Sequence, residues 1–241
     1  MNAWKICTCA VLLSFGVGVA APAVAADTGT PAGSEAVSLT YRPPLRGAPA
    51  SRVGGGTRGA GDARLSLEVI APDHTGLTSV GQPILYWYAS EAVAAPLEFT
   101  LLAEGAEKPL VERRLPATMD PGVQAIALSS LGATLKPGVE YQWFVSVVTD
   151  PTQRSRDVTA GGTIRRTDAD AALKASLARA DERTAPLVYA ESGYFYDAID
   201  GLSRLIARNP NEAGLRTQRA MLLEQVGLTE PARPDRMAAA R

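Results

Sequence analysis

The sequence predicts an α+β protein in which an antiparallel β-sandwich of the immunoglobulin or fibronectin-III type precedes a small helical region. Two observations carry this prediction. From Leu65 onward, short segments alternate apolar and polar residues with the period of two that half-buried strands require. After Arg166 the apolar residues recur with the helical period of about 3.6 instead.

Seven strands are predicted in a sandwich domain that we place at 62–166, with Pro, Gly and Asp turn residues between them. Trp87 stands in mid-strand, where such sandwiches bury a core aromatic. Tyr141 follows Pro137-Gly138 as in a fibronectin-III corner, so we expect its hydroxyl to bond back to the preceding loop. The predicted strands are 65–69, 83–89, 97–102, 108–114, 123–128, 139–148 and 161–166.

Four helices are predicted in a helical region at 167–228. Thr167 is the predicted cap of the first helix, and Pro186 is predicted to open the second. The third and fourth are expected over 194–208 and 212–226. The Pro-, Ala- and Arg-rich tail that follows, 229–241, is predicted to be disordered.

The helical region has spacings typical of a tetratricopeptide repeat. Gly193 and Gly227 are 34 residues apart, which is the period of that repeat. Ala198 and Pro210 are placed as in its second half. Because the region holds only about one and a half repeats and a solenoid needs about three, we expect the helices to dock on the sandwich.

The N-terminus has the three parts of a secretory signal peptide. Lys5 supplies a positive charge, 6–20 form an uncharged apolar run, and 23–25 offer an A-x-A cleavage site. The run is shorter than the roughly 20 residues of a spanning helix, although an uncleaved membrane anchor is the alternative. We therefore place the signal peptide at 1–25 and expect a periplasmic or secreted mature chain without a transmembrane segment.

Composition excludes several function classes. Both cysteines, Cys7 and Cys9, lie inside the predicted signal peptide, so the mature chain has no disulfide, thiol nucleophile or cysteine metal site. The 24 basic and 25 acidic residues nearly cancel, which gives no reason to expect nucleic acid as a partner. The 216 residues that would remain suffice for one large domain or two small ones.

A Pro/Gly/Arg arm is the most distinctive local sequence; it lies within a leader that we place at 26–61. Its stretch 41–61 has four arginines and no acidic residue. Arg46, Arg52 and Arg58 could fork onto the phosphate or carboxylate of an anionic glycan or lipid. Alternatively, the arm wraps the sandwich and its guanidinium groups bond to backbone carbonyls. The glycine run lacks the G-K-[ST] ending of a phosphate-binding P-loop.

The loop that follows the longest predicted strand, 149–157, also allows two interpretations. Asp150 and Arg154 could form a ligand site at one end of the sandwich. Equally, they could bond locally and only shape a turn.

Candidate catalytic groups are few. His74 is the only histidine and is expected to be exposed in a turn; without cysteine or a G-x-S-x-G motif it supports neither a triad nor a zinc site. Glu191 and Asp197 lie among tyrosines near Gly193. Paired carboxylates could hydrolyse glycosides, or these two could simply pack between helices. The sequence predicts no catalytic residue, metal or cofactor.

Several motifs occur together along the chain. They include R-G-A-P-x-x-R-x-G-G-G-T-R-G at 46–59, Trp87-Tyr88, Tyr141-x-Trp143 and G-x-x-Y-D-A at 193–198. With these motifs the chain resembles a bacterial family known only as domain of unknown function 928. The resemblance implies a secreted protein with a strand-rich front and a helical back, and it implies no activity.

We therefore expect a non-catalytic interaction module, accessory to an envelope or secretion assembly, with an envelope or secreted protein as its partner. Edge strands, sandwich-end loops and the arm would be its contact surfaces. One alternative is an envelope enzyme that acts on glycan through Asp and Glu. A second is a carrier of an anionic small molecule held by Arg52 and Arg58.

Overall fold

Three sheets and five α-helices make up the parts of the chain that the computed structural model describes, residues 38–44, 52–53 and 65–241. The predicted signal peptide and most of the arm lie outside the described residues. The strands are β1 (Leu67–Val69), β2 (Gly76–Thr78), β3 (Ile84–Ala89), β4 (Val93–Ala94), β5 (Leu97–Ala103), β6 (Val111–Leu115), β7 (Thr118–Met119), β8 (Gly122–Ala127), β9 (Glu140–Val147) and β10 (Val158–Arg166).

Two larger sheets have the strand orders β1-β3-β8 and β2-β10-β9-β5-β6, and β4 pairs with β7 in a small third one. Every pairing is antiparallel except that of β2 with β10. The fold is therefore α+β with mainly antiparallel sheets, as predicted. Each of the seven predicted strands is present, whereas β2 and the two-residue strands β4 and β7 were not predicted.

Alternation along β5 and β9 explains where the core lies. Leu97, Phe99 and Leu101 are buried while the residues between them are partly exposed. In β9, Trp143 is fully buried and lies 6.3 Å from Phe99, ring centre to ring centre. The expected corner bond is present, since the Lys136 amide donates to the Tyr141 hydroxyl at 3.1 Å.

The helices are α1 (Ala171–Leu177), α2 (Ala185–Glu191), α3 (Phe195–Arg208), α4 (Ala213–Gln225) and α5 (Thr229–Ala239). The predicted cap of α1 is wrong. Asp170, not Thr167, is the N-cap, because its carboxylate accepts from the Leu173 amide at 2.8 Å. Pro186 lies in the first turn of α2, as expected.

The prediction of a disordered tail at 229–241 is also wrong, because α5 occupies most of it. Proline is tolerated in the first turn of a helix, where Pro231 lies. Asp235 is only 2% exposed and binds Arg219 of α4. This buried ion pair and the burial of Ala232 hold the segment in a helix against α4.

The helices dock on the sheets through α3. Phe195, Tyr196 and Leu202 of α3 belong to the same buried cluster as Phe99 and Trp143 of the sheets. The sheets and helices therefore share one core. Within the described residues, no helix is both long and apolar enough to span a bilayer.

An N-terminal strap, which we define as residues 38–44, closes over the helices. The Gln225 side chain donates to the Leu39 carbonyl at 3.0 Å and accepts from the Tyr41 amide at 2.8 Å. The Arg42 amide donates to the Ala190 carbonyl at 3.1 Å. The strap thus joins the beginning of the described chain to α2 and α4.

Candidate functional site

Tyr196 anchors α3 in the sheets and forms one wall of a cleft. A Cβ atom at Gly76 would lie 2.5 Å from the Tyr196 ring, so only glycine leaves room for it. The Tyr196 hydroxyl accepts from Trp143 Nε1 at 3.0 Å and donates to the Thr163 carbonyl at 2.9 Å. Complete burial raises the pKa of Tyr196 above its usual range, so this hydroxyl acts as a fixed structural link.

Asp197 follows in the first turn of α3 and holds the loop after β2. Its carboxylate accepts from the Ser79 amide at 3.0 Å and from the Ser79 hydroxyl. Burial raises the pKa of Asp197, while the hydrogen bonds from Ser79 act in the opposite direction. The side chain therefore ties a helix to a sheet loop across 118 residues of sequence.

Asp200 lies one helical turn further along α3. Its Oδ1 accepts from the Tyr86 hydroxyl at 2.8 Å, and its Oδ2 accepts from Arg204. Burial and the nearby Asp200 carboxylate together raise the pKa of Tyr86. Both carboxylates of this helix face are thus bound to scaffold groups.

The cleft that these residues line has a volume of about 490 Å³, within the range of small-ligand sites. It lies between the loop after β2, the start of β3, the end of β8 and helices α2 and α3. Glu182 and Arg208 add an ion pair of 2.5 Å to its wall. The lining residues are Thr78, Val80, Gln82, Pro83, Ile84, Ala127, Ser129, Glu182, Ala185, Pro186, Tyr189, Tyr196, Asp197, Asp200, Gly201, Arg204 and Arg208.

Comparison with protein families identifies the chain. Residues 53–235 match the family described as Domain of Unknown Function (DUF928). The chain belongs to DUF928. The matched range includes every residue that lines the cleft.

Other comparisons add no functional information about this DUF928 chain. No curated protein matches it significantly. Among solved structures, it is similar over 83% of its length to the whole of a chain described as "Crystal structure of a multi-domain immunophilin from Arabidopsis thaliana". The identity is 8% and the TM-score is 0.20, so this likeness carries no argument.

Arg52 is the predicted arm residue that the structure describes in this DUF928 chain. Its Nη1 donates to the Ala71 carbonyl at 3.0 Å and to the Val226 carbonyl at 3.1 Å. Next to it, Val53 and Gly161 of β10 exchange two backbone hydrogen bonds of 3.0 Å. This geometry corresponds to the structural interpretation of the arm. Arg46 and Arg58 lie outside the described residues.

The loop at 149–157 holds its own predicted residues in bonds within the protein. Asp150 Oδ1 accepts from the Thr152 amide at 2.8 Å and from the Thr152 hydroxyl at 2.7 Å. Arg154 forks onto Glu98 of β5, at 3.2 and 2.5 Å, and also binds Asp157 at 2.7 Å. The hydrogen bonds from Arg154 lower the pKa of Glu98. A ligand role for Asp150 and Arg154 stays a prediction.

The expectation of an exposed His74 is wrong. Its side chain is only 18% exposed, because Tyr41 of the strap stacks on it with ring centres 5.9 Å apart. The Tyr41 hydroxyl lies 2.9 Å from Nε2, and Asp73 Oδ1 lies 3.2 Å from Nδ1. Nothing in the local sequence indicates this contact, because Tyr41 precedes His74 by 33 residues.

The hypothetical pair of Glu191 and Asp197 is not formed. Glu191 is exposed and lies 3.7 Å from Arg42, whereas Asp197 is buried against Ser79. Asp200, on the same helix, shares the cleft with Asp197, as does Glu182. Sequence reasoning missed Asp200. Its i,i+3 spacing on a predicted helix is the feature that could have indicated it. No group of three or more metal-binding side chains occurs among the described residues.

Proposed function

We propose that this DUF928 protein is a non-catalytic binding module that works outside the cytoplasm and holds a segment of an envelope or secreted protein in the α2–α3 cleft. One observation carries the proposal. The carboxylates of Asp197 and Asp200 are hydrogen-bonded within the fold, whereas the apolar side chain of Val80, which lines the same cleft, is exposed. The extracytoplasmic compartment rests on the predicted signal peptide at 1–25.

The cleft wall has the composition of a peptide-binding surface. Val80 is 46% exposed, and Ile84, Ala185 and Tyr189 are partly exposed around it. Guanidinium and carboxylate groups flank these apolar atoms on the same wall. Aromatic and arginine side chains around an apolar centre are typical of residues that dominate protein interfaces. An extended segment with one or two apolar side chains would fit this surface.

We further infer that the two larger sheets are an immunoglobulin-type sandwich and that α2 to α4 are a tetratricopeptide-like appendage. The strand orders, the parallel β2–β10 pair and the Tyr141 corner bond support the first inference. The left-handed Gly193 and Gly227, 34 residues apart, support the second. In this interpretation, the cleft lies at the interface between the sandwich and the helical appendage.

Site-specific photocrosslinking in the native host tests the peptide-binding proposal. A photoreactive residue replaces Val80 in the cleft. The matched control replaces Leu110, which is 51% exposed but lies beside β6, outside the cleft lining. We expect one protein to be captured at position 80 and not at position 110. Excess unlabelled wild-type protein should prevent the capture, and excess Val80→Asp protein should not.

Equal capture at both positions, or none at position 80, would contradict the proposal. Cell fractionation and mass spectrometry of the mature N-terminus test the compartment separately. A first residue at Ala26 in the periplasm or medium is expected. Intact Met1 in the cytoplasm would refute the extracytoplasmic assignment.

An enzyme that acts on glycan is the second candidate function. The observation that favours it is that Asp197 and Asp200 line one cavity and that burial raises the pKa of Asp197, which would suit a general acid. Purified protein would be incubated with cell-wall glycan and the released products measured. Saturable turnover that Asp200→Asn abolishes would establish this function. Equal product release by the wild type and Asp200→Asn would exclude the proposed role of Asp200.

A further inference from the structure

A second cavity, of about 460 Å³, adjoins the cleft and also includes Arg204 in its wall. It lies between α3, α4, α5 and β8. Its cationic side chains are Arg204, Arg216 and Arg219, and its carboxylate is Asp235. The other lining residues are Tyr86, Val123, Ser203, Ile206, Ala207 and Pro234.

One buried carboxylate serves two guanidinium groups in this cavity. Asp235 accepts from Arg219 at 2.6 and 2.8 Å and from Arg216 at 3.3 Å. Arg219 and Asp235 neutralise each other in a nearly buried bidentate pair. The Arg216 guanidinium, whose side chain is 24% exposed, also donates from Nε and Nη2 to the Pro210 carbonyl at 3.3 and 3.2 Å, but a carbonyl carries no formal charge, so the positive charge of Arg216 is only partly balanced. A half-buried positive charge is costly, and an anion in the cavity would reduce that cost.

The wall of this cavity also contains hydrogen-bond donors that could bind a ligand. Among the described residues, Arg204 donates only to Asp200, which uses one of the five N–H groups of a guanidinium. Arg219 Nη1 donates to the Ser203 hydroxyl oxygen at 3.2 Å. Since that oxygen acts as an acceptor, the Ser203 O–H is directed elsewhere and can donate to a ligand.

We propose that this cavity binds the phosphate group of a small ligand through Arg204, Arg216 and Ser203. Guanidinium groups fit phosphate oxygens in a bidentate fork, and a hydroxyl supplies a third direction of donation. Val123 and Ile206 provide apolar surface for the carbon body that carries the phosphate. The two sites share Arg204 but are otherwise lined by different residues. Variants of Val80 and of Arg216 therefore test the two proposals independently.

Calorimetric titration of the full chain with inorganic phosphate at low ionic strength tests the proposal. Saturable binding with one phosphate per chain is expected. Arg216→Gln should weaken it about tenfold or more, because a hydrogen bond to a charged group is lost. Arg233→Gln is the matched control, since Arg233 is an exposed arginine of α5 that pairs with Glu230 and does not line the cavity.

Val123→Glu tests the proposal by adding a negative charge to the cavity instead of removing a positive one. It places a carboxylate in the cavity, so we expect it to abolish phosphate binding and to leave the far-ultraviolet spectrum unchanged. If Arg216→Gln fails to fold, Ser203→Ala replaces it, with severalfold weaker binding expected. Val80→Asp should leave phosphate affinity unchanged.

Two further probes distinguish the sources of the phosphate. Binding of hexyl phosphate in solution would support a soluble phosphoester. Binding only to vesicles of phosphatidylglycerol in phosphatidylcholine, lost in Val123→Glu, would support a lipid headgroup. Absence of saturable binding to free phosphate, hexyl phosphate and vesicles would overturn the proposal, as would equal loss of affinity in Arg233→Gln and Arg216→Gln.

Discussion

Two bidentate arginine–carboxylate pairs in this chain, which we call forks, lie in different surroundings. Arg219 binds Asp235 at 2.6 and 2.8 Å, and the two side chains are 11% and 2% exposed. Arg154 binds Glu98 at 3.2 and 2.5 Å, with the Arg154 side chain 52% and the Glu98 side chain 16% exposed. The first fork joins α5 to α4, and the second joins the loop at 149–157 to β5.

Burial, rather than bond length, decides how much such a pair contributes to the stability of the fold. Breaking a buried pair leaves an uncompensated charge away from water, which strongly destabilises the fold. Breaking an exposed pair returns both groups to water and to dissolved ions. The Arg219–Asp235 pair should therefore contribute strongly to the free energy of unfolding, and the Arg154–Glu98 pair only weakly.

The largest effect is expected from Asp235→Asn. Because Arg219 and Arg216 would both lose their shared carboxylate, the free energy of unfolding should fall by about 3–5 kcal/mol. Urea unfolding at pH 7 measures this change, with Glu98→Gln as the matched control on the exposed fork. A fall no greater than that of the control would contradict the assigned importance of burial.

An intermediate, pH-dependent effect is expected from Asp197→Asn, since Asp197 is buried without an arginine in its hydrogen-bond set. Its pKa is raised in the folded state, so the folded protein binds this proton more strongly than the unfolded one. Wild-type stability from this group is therefore present at low pH and lost as pH rises through the raised pKa. A tenfold difference in proton affinity between the folded and unfolded states corresponds to about 1.4 kcal/mol of stability.

Urea unfolding of both proteins between pH 4 and pH 8 measures this effect. The stability of the wild type minus that of Asp197→Asn should decrease as the pH rises. An increase would mean that the Ser79 hydrogen bonds outweigh burial and lower the pKa of Asp197. The difference cancels the opposite contributions of other carboxylates such as Glu98, whose pKa is lowered.

The smallest effect is expected from Arg154→Gln. The pair is screened by salt and held at the surface, so the urea midpoint in 0.5 M salt should equal that of the wild type within error. A small decrease at low salt should disappear when the pH falls low enough to protonate Glu98. A loss comparable to that of Asp235→Asn would contradict the distinction between the two forks.

Most strands of the sheets could be predicted, because alternating apolar and polar residues indicate a strand with one buried face. β2 was missed because Gly76, Leu77 and Thr78 are all buried, so its three residues do not alternate. α5 was missed because Pro231 and Pro234 indicate a break in isolation. Its stability comes from packing on α4, which local sequence does not report.

The candidate site was predicted only in part, for a similar reason. Sequence reasoning selected Asp197 and its neighbouring tyrosines but paired Asp197 with Glu191. The contacts that form the cleft join Asp197 to Ser79 and Asp200 to Tyr86, both more than a hundred residues away in sequence. Contacts between residues so distant in sequence are determined by the packing of α3 on the sheets, which local sequence patterns do not report.

The strap has a consequence for the order in which the molecule is assembled. Residues 39 and 41 are held by Gln225, which follows them by 186 and 184 residues. Ribosomes release the N-terminus first, so these residues leave the ribosome long before α4 exists. The bonds of the strap to Gln225 can form only when nearly the whole chain is present. The docking of the strap on α4 is therefore a late event of folding, in which the first described residues meet one of the last helices.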